Sequence, residues 1–477
     1  RVVPITPGAS ASTMATPIGA VRATAASFGW CVADSDLVFW LQVGGTCGLS
    51  DNAEVFGRKI INNQGVRFYD AFTFRFTLSF LTLALGAFSS AAMAVPYAFE
   101  ARQEAMGGTG VASARYLSAP LYNPARLAFA KADDDVGILL PVVGAEVYDQ
   151  DDLSGQVDDL SDSYDDYTAY ASNPGADPAV VQQKSDQLVG QLTDLSGDSG
   201  YARAGAGMVV AMPFEALSVA VMANGYADAQ AFADISANDL TGQLPTDESQ
   251  VQSRAIAMGA GVSEFGVTLA KVFEAEGMRW SVGVTPKAQE LQVLNYVASA
   301  VDSDFGDITD DQYQASENGF NLDAGVAASW ENGWDAGLAI KNLVKRDLDA
   351  PLTNGVQATY ELSTVPTAGV SYRWGQLLFN ADADLLAQKR FTDLSGTYAS
   401  FDAGEDDLQM MALGAEWDLW QWAQLRAGYR HDLKDNLDDA LSAGLGISPG
   451  DLFHLDLAGT YAGNNQFGGV IQTSLTF

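Results

Sequence analysis

From residue 466 to the end, the chain places Phe467, Ile471, Leu475 and Phe477 on a single face, together with Gly469 and Thr473. Strand side chains alternate at a period of two, so this is a strand with one oily side. The same period recurs upstream, near 134–147, 203–214, 216–228, 251–273, 279–297, 319–330, 333–344, 356–374, 376–388, 407–418, 422–432, 439–448 and 451–462, which predicts fourteen strands in all. The connections alternate as well. Short turns fall at Phe214-Glu215, 274–278, Glu331-Asn332, Gly375, 419–421 and 448–451. The others are mostly long, and acidic residues gather in them, at 149–166, 234–248, 302–311 and 402–407. Short turns at one end and long loops at the other are what an outer-membrane barrel has, with the turns in the periplasm and the loops outside.

Within strands the two faces differ. Along 451–462, Phe453, Leu455, Leu457 and Tyr461 alternate with His454, Asp456 and Thr460; along 376–388, Phe379, Ala381, Ala383 and Leu385 oppose Asn380, Asp382 and Asp384. A soluble β-sandwich alternates in the same way, so periodicity alone leaves both open. The terminal strand adds a second sign. Ile471, Leu475 and Phe477 resemble the C-terminal recognition strand of bacterial outer-membrane barrels, an assembly signal that implies the barrel-assembly machinery as a partner.

The compartment is written near residue 90. Phe76–Phe88 is an apolar run of 13 residues, preceded by Arg67 and Arg75 and followed by Ser89-Ser90-Ala91-Ala92-Met93-Ala94. It reads as a secretory signal spanning 66–94 with cleavage after Ala94, since a membrane-spanning helix needs about 20 apolar residues. Residues 1–65 then precede the signal. They are expected to be non-native translation upstream of the true start, with a genuine N-terminal domain as the alternative. Both cysteines, Cys31 and Cys47, lie there, so a chain starting at Val95 has no disulfide, thiol nucleophile or cysteine metal site. Together the signal, the even strand count, the terminal Phe and the loop asymmetry favour an all-β, 14-stranded antiparallel transmembrane outer-membrane β-barrel over the sandwich.

Composition narrows the partners. A net charge of −35 excludes nucleic acid, whose phosphates need Lys and Arg. The 47 glycines and 10% aromatic content suit tight turns and aromatic girdles. Met106-Gly107-Gly108-Thr109-Gly110 lacks the Lys-Ser or Lys-Thr of a phosphate loop, and Asp149-x-Asp151 and Asp302-x-Asp304 lack the remaining ligands of a calcium loop. The acidic loops are solvated faces or loose divalent-cation bridges to lipopolysaccharide. His431 and His454 are the only histidines, too few for a histidine zinc site and not placed for a triad, so neither cofactor, metal nor catalytic constellation is expected.

Residues 97–130 differ in kind, being rich in small residues without alternation. Glu104-Ala105-Met106-Gly107-Gly108-Thr109-Gly110-Val111-Ala112, followed by Tyr122-Asn123-Pro124-Ala125-Arg126-Leu127, resembles the opening of the FadL-type transporters of hydrophobic compounds. The segment is more closely similar to the branch named conjugal transfer protein TraF-like, a name that does not establish a role in conjugation. The resemblance implies that 95–130 folds into the lumen as a hatch, marked by Met106, Gly107, Gly108, Gly110, Asn123 and Pro124, and that 131–477 forms the barrel. It also implies passage of fatty-acid-like or other hydrophobic small molecules across the outer membrane. The alternative is a non-transporting component of a conjugation or secretion apparatus, or a surface adhesion protein.

By strand parity Asp335, Lys341, Arg373, Asp382, Asp384, Glu416, Arg426, Arg430, His454 and Asp456 face inward. They are either a polar track or latch on the hatch, or a paired network that satisfies a narrow lumen, since charges removed from water need partners. Val180, Leu188, Leu192 and Leu195 near helical spacing, behind Asp177-Pro178, predict a helix over 177–195 in the first extracellular loop.

Overall fold

The computed structural model describes residues 27–33, 36–42 and 98–477, except 132–133, 150, 302–307, 309, 396–406, 421 and 464. The signal at Phe76–Phe88 and the cleavage site at Ala94 lie outside the described residues. Two compact units are present, 1–68 and 69–477. In the first, β1 (Ser27–Ala33) pairs antiparallel with β2 (Asp36–Gln42).

The second unit is a closed barrel of fourteen antiparallel strands. In chain order these are β3 (Gly137–Tyr148), β4 (Ser199–Met212), β5 (Ser218–Asp234), β6 (Arg254–Ala275), β7 (Met278–Ser299), β8 (Gln314–Trp330), β9 (Trp334–Lys341), β12 (Val365–Trp374), β13 (Leu377–Asp384), β15 (Met410–Asp418), β16 (Ala423–Asp432), β17 (Ala440–Ile447), β18 (Phe453–Gly463) and β19 (Gln466–Thr476). Pairing of β19 with β3 closes the ring, and the main-chain N–H of Phe477 donates to Val136 O at 2.8 Å. Leu475, Ile471 and Phe477 thus lie along the closing seam, with Ile471 and Phe477 exposed on the outside.

The outside is the membrane face. Val282, Val284, Phe379, Leu413, Leu425, Leu441 and Ile471 all stand exposed there. Trp280, Trp330, Trp334, Trp374, Trp417, Trp420 and Trp422 gather at the short-turn end, and Trp420 stacks on Trp422 with ring centroids 5.6 Å apart. An apolar band edged by amphipathic rings is how a barrel sits in a bilayer, the indole nitrogen reaching the headgroups while the ring stays in lipid. This is an outer-membrane, multi-strand barrel.

The strands are uneven in length. A bilayer needs about 9–11 residues of strand, whereas β6 and β7 have 22 each. Their surplus rises past the membrane as a wall with both faces covered. On its outer face Ala227, Ala231, Ala257, Leu294 and Tyr296 pack with Leu160, Tyr167, Leu188 and Leu192 of two helices, Leu153–Ala171 and Pro178–Asp194. On its inner face Phe232, Ile256, Met258, Leu291 and Val293 pack with Tyr360, Leu362 and Phe391. Each fully buried side chain of this size contributes about 1.5–3 kcal/mol.

Three expectations need correction. The stretch 356–374 is not one strand: it breaks at Ser363-Thr364, and its first part, β11 (Gln357–Leu362), leaves the barrel to pair with β10 (Arg346–Asp349) and β14 (Phe391–Ser395). Ser363 fixes the break, its hydroxyl donating to Lys389 O and accepting from the Lys389 N–H. The acidic stretch 149–166 is not merely a solvated loop, because Leu153, Val157, Leu160, Tyr164 and Tyr167 recur at helical spacing and are buried. The helix foreseen over 177–195 forms at Pro178–Asp194, with the Asp177 carboxylate accepting from the Ala179 N–H at 2.9 Å. Third, the inward-facing charges do not form one network, as described next.

Candidate functional site

Residues 98–130 occupy the lumen. They pair with no barrel strand; two four-residue helices, Ala101–Glu104 and Ala119–Tyr122, and a 3₁₀ stretch, Pro124–Phe129, are joined by turns. Asn123 organises the second half. Its side-chain oxygen accepts the Ala125 N–H at 3.1 Å, and its amide donates to Val111 O at 2.8 Å and to Val326 O of the wall at 3.1 Å. Pro124 at the first helical position has no N–H to leave unsatisfied.

The wall meets this segment where it has no side chains. Inward-facing glycines oppose each other across strand pairs: Gly283 with Gly325, Gly337 with Gly369, and Gly414 with Gly428. A Cβ at Gly414 would lie 2.6 Å from Met106 O, at Gly283 2.6 Å from Pro124 O, and at Gly428 on the Gly107 nitrogen. Gly144 and Gly205 make the same allowance for the ring of Phe99. Thus many of the glycines that composition suggested were for turns instead form a belt around the lumen.

Charge and hydrogen bonds hold the segment on that belt. Asp382 accepts the N–H groups of Gly110 at 2.6 Å and Val111 at 2.8 Å, Ser442 Oγ accepts the Gly107 N–H at 2.9 Å, and Lys341 Nζ donates to Leu121 O. Arg102 meets Glu416 with two parallel bonds of 2.8 and 3.1 Å. Glu416 also takes Arg426 at 2.8 Å, and Arg426 reaches Asp456 at 2.5 Å. A separate cluster holds Arg430 and Arg203 on Glu146, both at 2.7 Å, with Glu104 of the luminal segment 3.4 Å from each. Further round, Lys287 bridges Glu264 and Asp323 at 2.8 and 2.9 Å. Asp384 accepts from Thr367 at 2.7 Å on the wall itself.

Of the inward set read from the sequence, Arg426 and Asp456 join one cluster and Arg430 another, while Lys341, Asp382 and Asp384 stand apart from both. Arg373 and His454 belong to neither. Arg373 is the penultimate residue of β12, two residues before the Gly375 turn, and is exposed. His454 sits at the short-turn end, its two ring nitrogens 2.8 Å from Ser448 Oγ and 2.8 Å from Thr476 Oγ1. Glu146, Arg203, Glu264, Lys287 and Asp323 were missed, although each is a charged residue inside an alternating strand and parity would have turned it inward. Of the glycines in the run 107–110, Gly107 is boxed in at φ +75°, with a Cβ 2.6 Å from Tyr429 O. At Gly108, by contrast, φ is +90° and a Cβ meets nothing within 4 Å.

Above the segment remains a cavity of about 50 Å³, among whose lining residues are Tyr122, Tyr201, Arg203, Lys341, Asp384 and Met410. The β10–β11–β14 sheet covers the lumen above, and Arg390 of the connection after β13 pairs with Asp228 of the inner wall at 2.8 Å.

The family model described as F plasmid transfer operon, TraF, protein matches residues 120–384, more than half of the chain and inclusive of Asn123, Pro124, Lys341, Asp382 and Asp384. The chain belongs to this family. Among solved structures, the TraF-family chain is similar to the Pseudomonas putida toluene transporter TodX, at 11% identity and TM-score 0.45 over 80% of this chain and 99% of that one. It is likewise similar to the Ralstonia pickettii toluene transporter TbuX, at 12% and 0.44 over 80% and 98%, and to a Pseudomonas aeruginosa FadL homologue, at 11% and 0.44 over 81% and 99%. No curated protein sequence matches it.

Proposed function

We propose that this barrel passes hydrophobic small molecules, fatty-acid-like compounds among them, across the outer membrane, with residues 98–130 as its hatch. The observation that carries the reading is the character of the upper lumen. Phe232, Ile256, Met258, Val262, Leu291 and Val293 point inward where a water-filled pore would carry polar side chains. An apolar solute crosses the polysaccharide leaflet poorly, and such a lining gives it a path once the covering Tyr360, Leu362 and Phe391 move aside. The hatch is held by side-chain bonds rather than strand pairing, so it can shift while the barrel stays closed.

The rival is a non-transporting component of a conjugation or secretion apparatus, in line with a family description that names a plasmid transfer operon. The doubly covered lumen favours it. A cavity of about 50 Å³ holds water, whereas a benzene ring occupies an engineered cavity of about 150 Å³; passage therefore requires both hatch and cap to move.

Uptake of a labelled hydrophobic compound by cells with and without the gene decides between them. Faster uptake with the gene, and raised planar-bilayer conductance on deleting 98–130 from a barrel that still folds, support the hatch. Equal uptake together with unchanged conductance leaves the scaffold reading in place.

A further inference from the structure

Beneath the luminal segment, the short-turn end of the barrel opens on a chamber of about 660 Å³. Arg102, Arg115, Arg126, Lys131 and Arg373 line it, together with the carboxylates of Glu100, Asp134, Glu416, Asp418 and Asp456. Glu416 accepts both bonds of Arg102 and one from Arg426; Asp456 holds Arg426; Glu100 accepts from the Gln103 N–H at 2.9 Å and from Gln472 at 2.8 Å. Asp134 accepts the Lys131 N–H at 2.8 Å.

Three guanidinium groups keep donors that no close acceptor takes up. The Arg373 side chain has no hydrogen bond or ion pair among the described residues. Arg115 comes no nearer to a carboxylate than 4.0 Å from Glu416, whose oxygens already accept three bonds. Arg126 donates from Nε to Ala114 O at 3.3 Å and lies 3.7 Å from Asp335, but its buried Nη1 has no hydrogen-bond partner. Shortage of carboxylates does not explain this. The chain has 60 Asp and Glu against 25 Lys and Arg, more than two acids for each base. Arginines with unused donors in so acidic a chain, on the wall of one chamber, are available for an anion from outside. Beside them the Phe129 ring lies 4.7 Å from the Arg126 guanidinium carbon and 5.4 Å from that of Arg279, an apolar surface next to the charge.

We infer that this chamber binds the oxyanion head of a small molecule, a phosphate or phosphomonoester, on the side opposite the acidic loops. The guanidinium fork matches two oxygens of such a group with parallel N–H donors, and bonds between charged partners are about twice as strong as neutral ones. Among the chamber's carboxylates, Glu416 is neutralised by Arg102 and Arg426, and Asp456 by Arg426. The site stands whether or not the barrel transports anything.

The test uses the full chain purified from membranes in a neutral detergent and titrated calorimetrically with inorganic phosphate, with hexyl phosphate and with hexanol. Both phosphates bind and hexanol does not. Equal affinity for the two identifies a free-phosphate site, and much tighter hexyl phosphate identifies an amphiphile headgroup site. Arg373→Gln and Arg115→Gln each weaken phosphate binding about tenfold, while Lys271→Gln, on an exposed residue outside the chamber, leaves it unchanged. Heat-modifiable gel migration confirms that the variants are folded; both substituted arginines are exposed, so neither holds the barrel together. Absence of phosphate binding by the unaltered chain, or binding indifferent to both arginine substitutions, overturns the assignment. Uptake plays no part in the readout, so this result and that of the uptake experiment are independent.

Discussion

Gly107 and Gly108 are neighbours with the same left-handed backbone, yet only one is enclosed. At Gly107 an added methyl group runs into Tyr429 O at 2.6 Å and Leu413 O at 3.1 Å, both main-chain atoms of hydrogen-bonded wall strands that cannot step aside. Gly107→Ala therefore carries about 1–2 kcal/mol of backbone strain and a further 1–3 kcal/mol or so of overpacking. Gly108→Ala carries the strain alone. Denaturant midpoints of the two folded variants should rank in that order, and equal midpoints would refute the tight seat at Gly107. Asp382 offers a second test. Its carboxylate is the acceptor for two consecutive buried N–H groups, each costing about 1–3 kcal/mol when left unpaired. In Asp382→Ala, amide hydrogen exchange at Gly110 and Val111 should accelerate at least tenfold while exchange in the wall strands stays slow; unaltered exchange at both would mean that the carboxylate does not anchor the segment.

At the scale of elements, the helix Leu153–Ala171 shows how a pattern can be present and still hidden. Its buried positions keep helical spacing, but Asp158, Asp159, Asp162, Asp165 and Asp166 fill the gaps and make the stretch resemble a solvated loop. Truncating Leu160, which is fully buried among Tyr167, Leu188 and Leu192, should cost about 2–5 kcal/mol. Limited proteolysis should then cut within 149–198 while the barrel remains heat-modifiable; resistance equal to that of the unaltered chain would show that the helix pair does not depend on this contact. The strands were far easier to see, since one membrane face imposes the period of two over the whole ring. Periodicity reports which residues share a face, not which sheet they join. Tyr360 and Leu362 alternate as well as any barrel residue, and nothing local marks that Tyr360 pairs with Leu348 and Phe391, and Leu362 with Arg346, in the mouth instead of with the wall.

For the molecule as a whole, parity told which charges turn inward but not whom they meet. Arg102 and Glu416 are 314 positions apart, and only closure of the ring brings them together. The same holds for Glu104 with Arg203 and Arg430, which explains why the charged clusters were foreseen as a set and not as pairs. Arg373 and His454 share the parity but lie at the strand ends, a coordinate that alternation does not carry.

The glycine belt has one further consequence. Where Gly414 and Gly428 face Met106 and Gly107, the partition between lipid and luminal segment is a single layer of main chain, so the two sides of each strand answer to different neighbours. Outward positions such as Leu413, Ala415 and Ala427 touch hydrocarbon and have room to exchange one oily side chain for another. Inward glycines have no such latitude. A saturation scan scored by yield of folded barrel should therefore trace a closed contour of intolerant sites winding from strand to strand, each bordered by permissive ones, and that contour would be a cast of the luminal segment taken from the wall. Branched residues accepted at Gly283, Gly414 and Gly428 without loss of folded barrel would mean that wall and luminal segment are not moulded to each other.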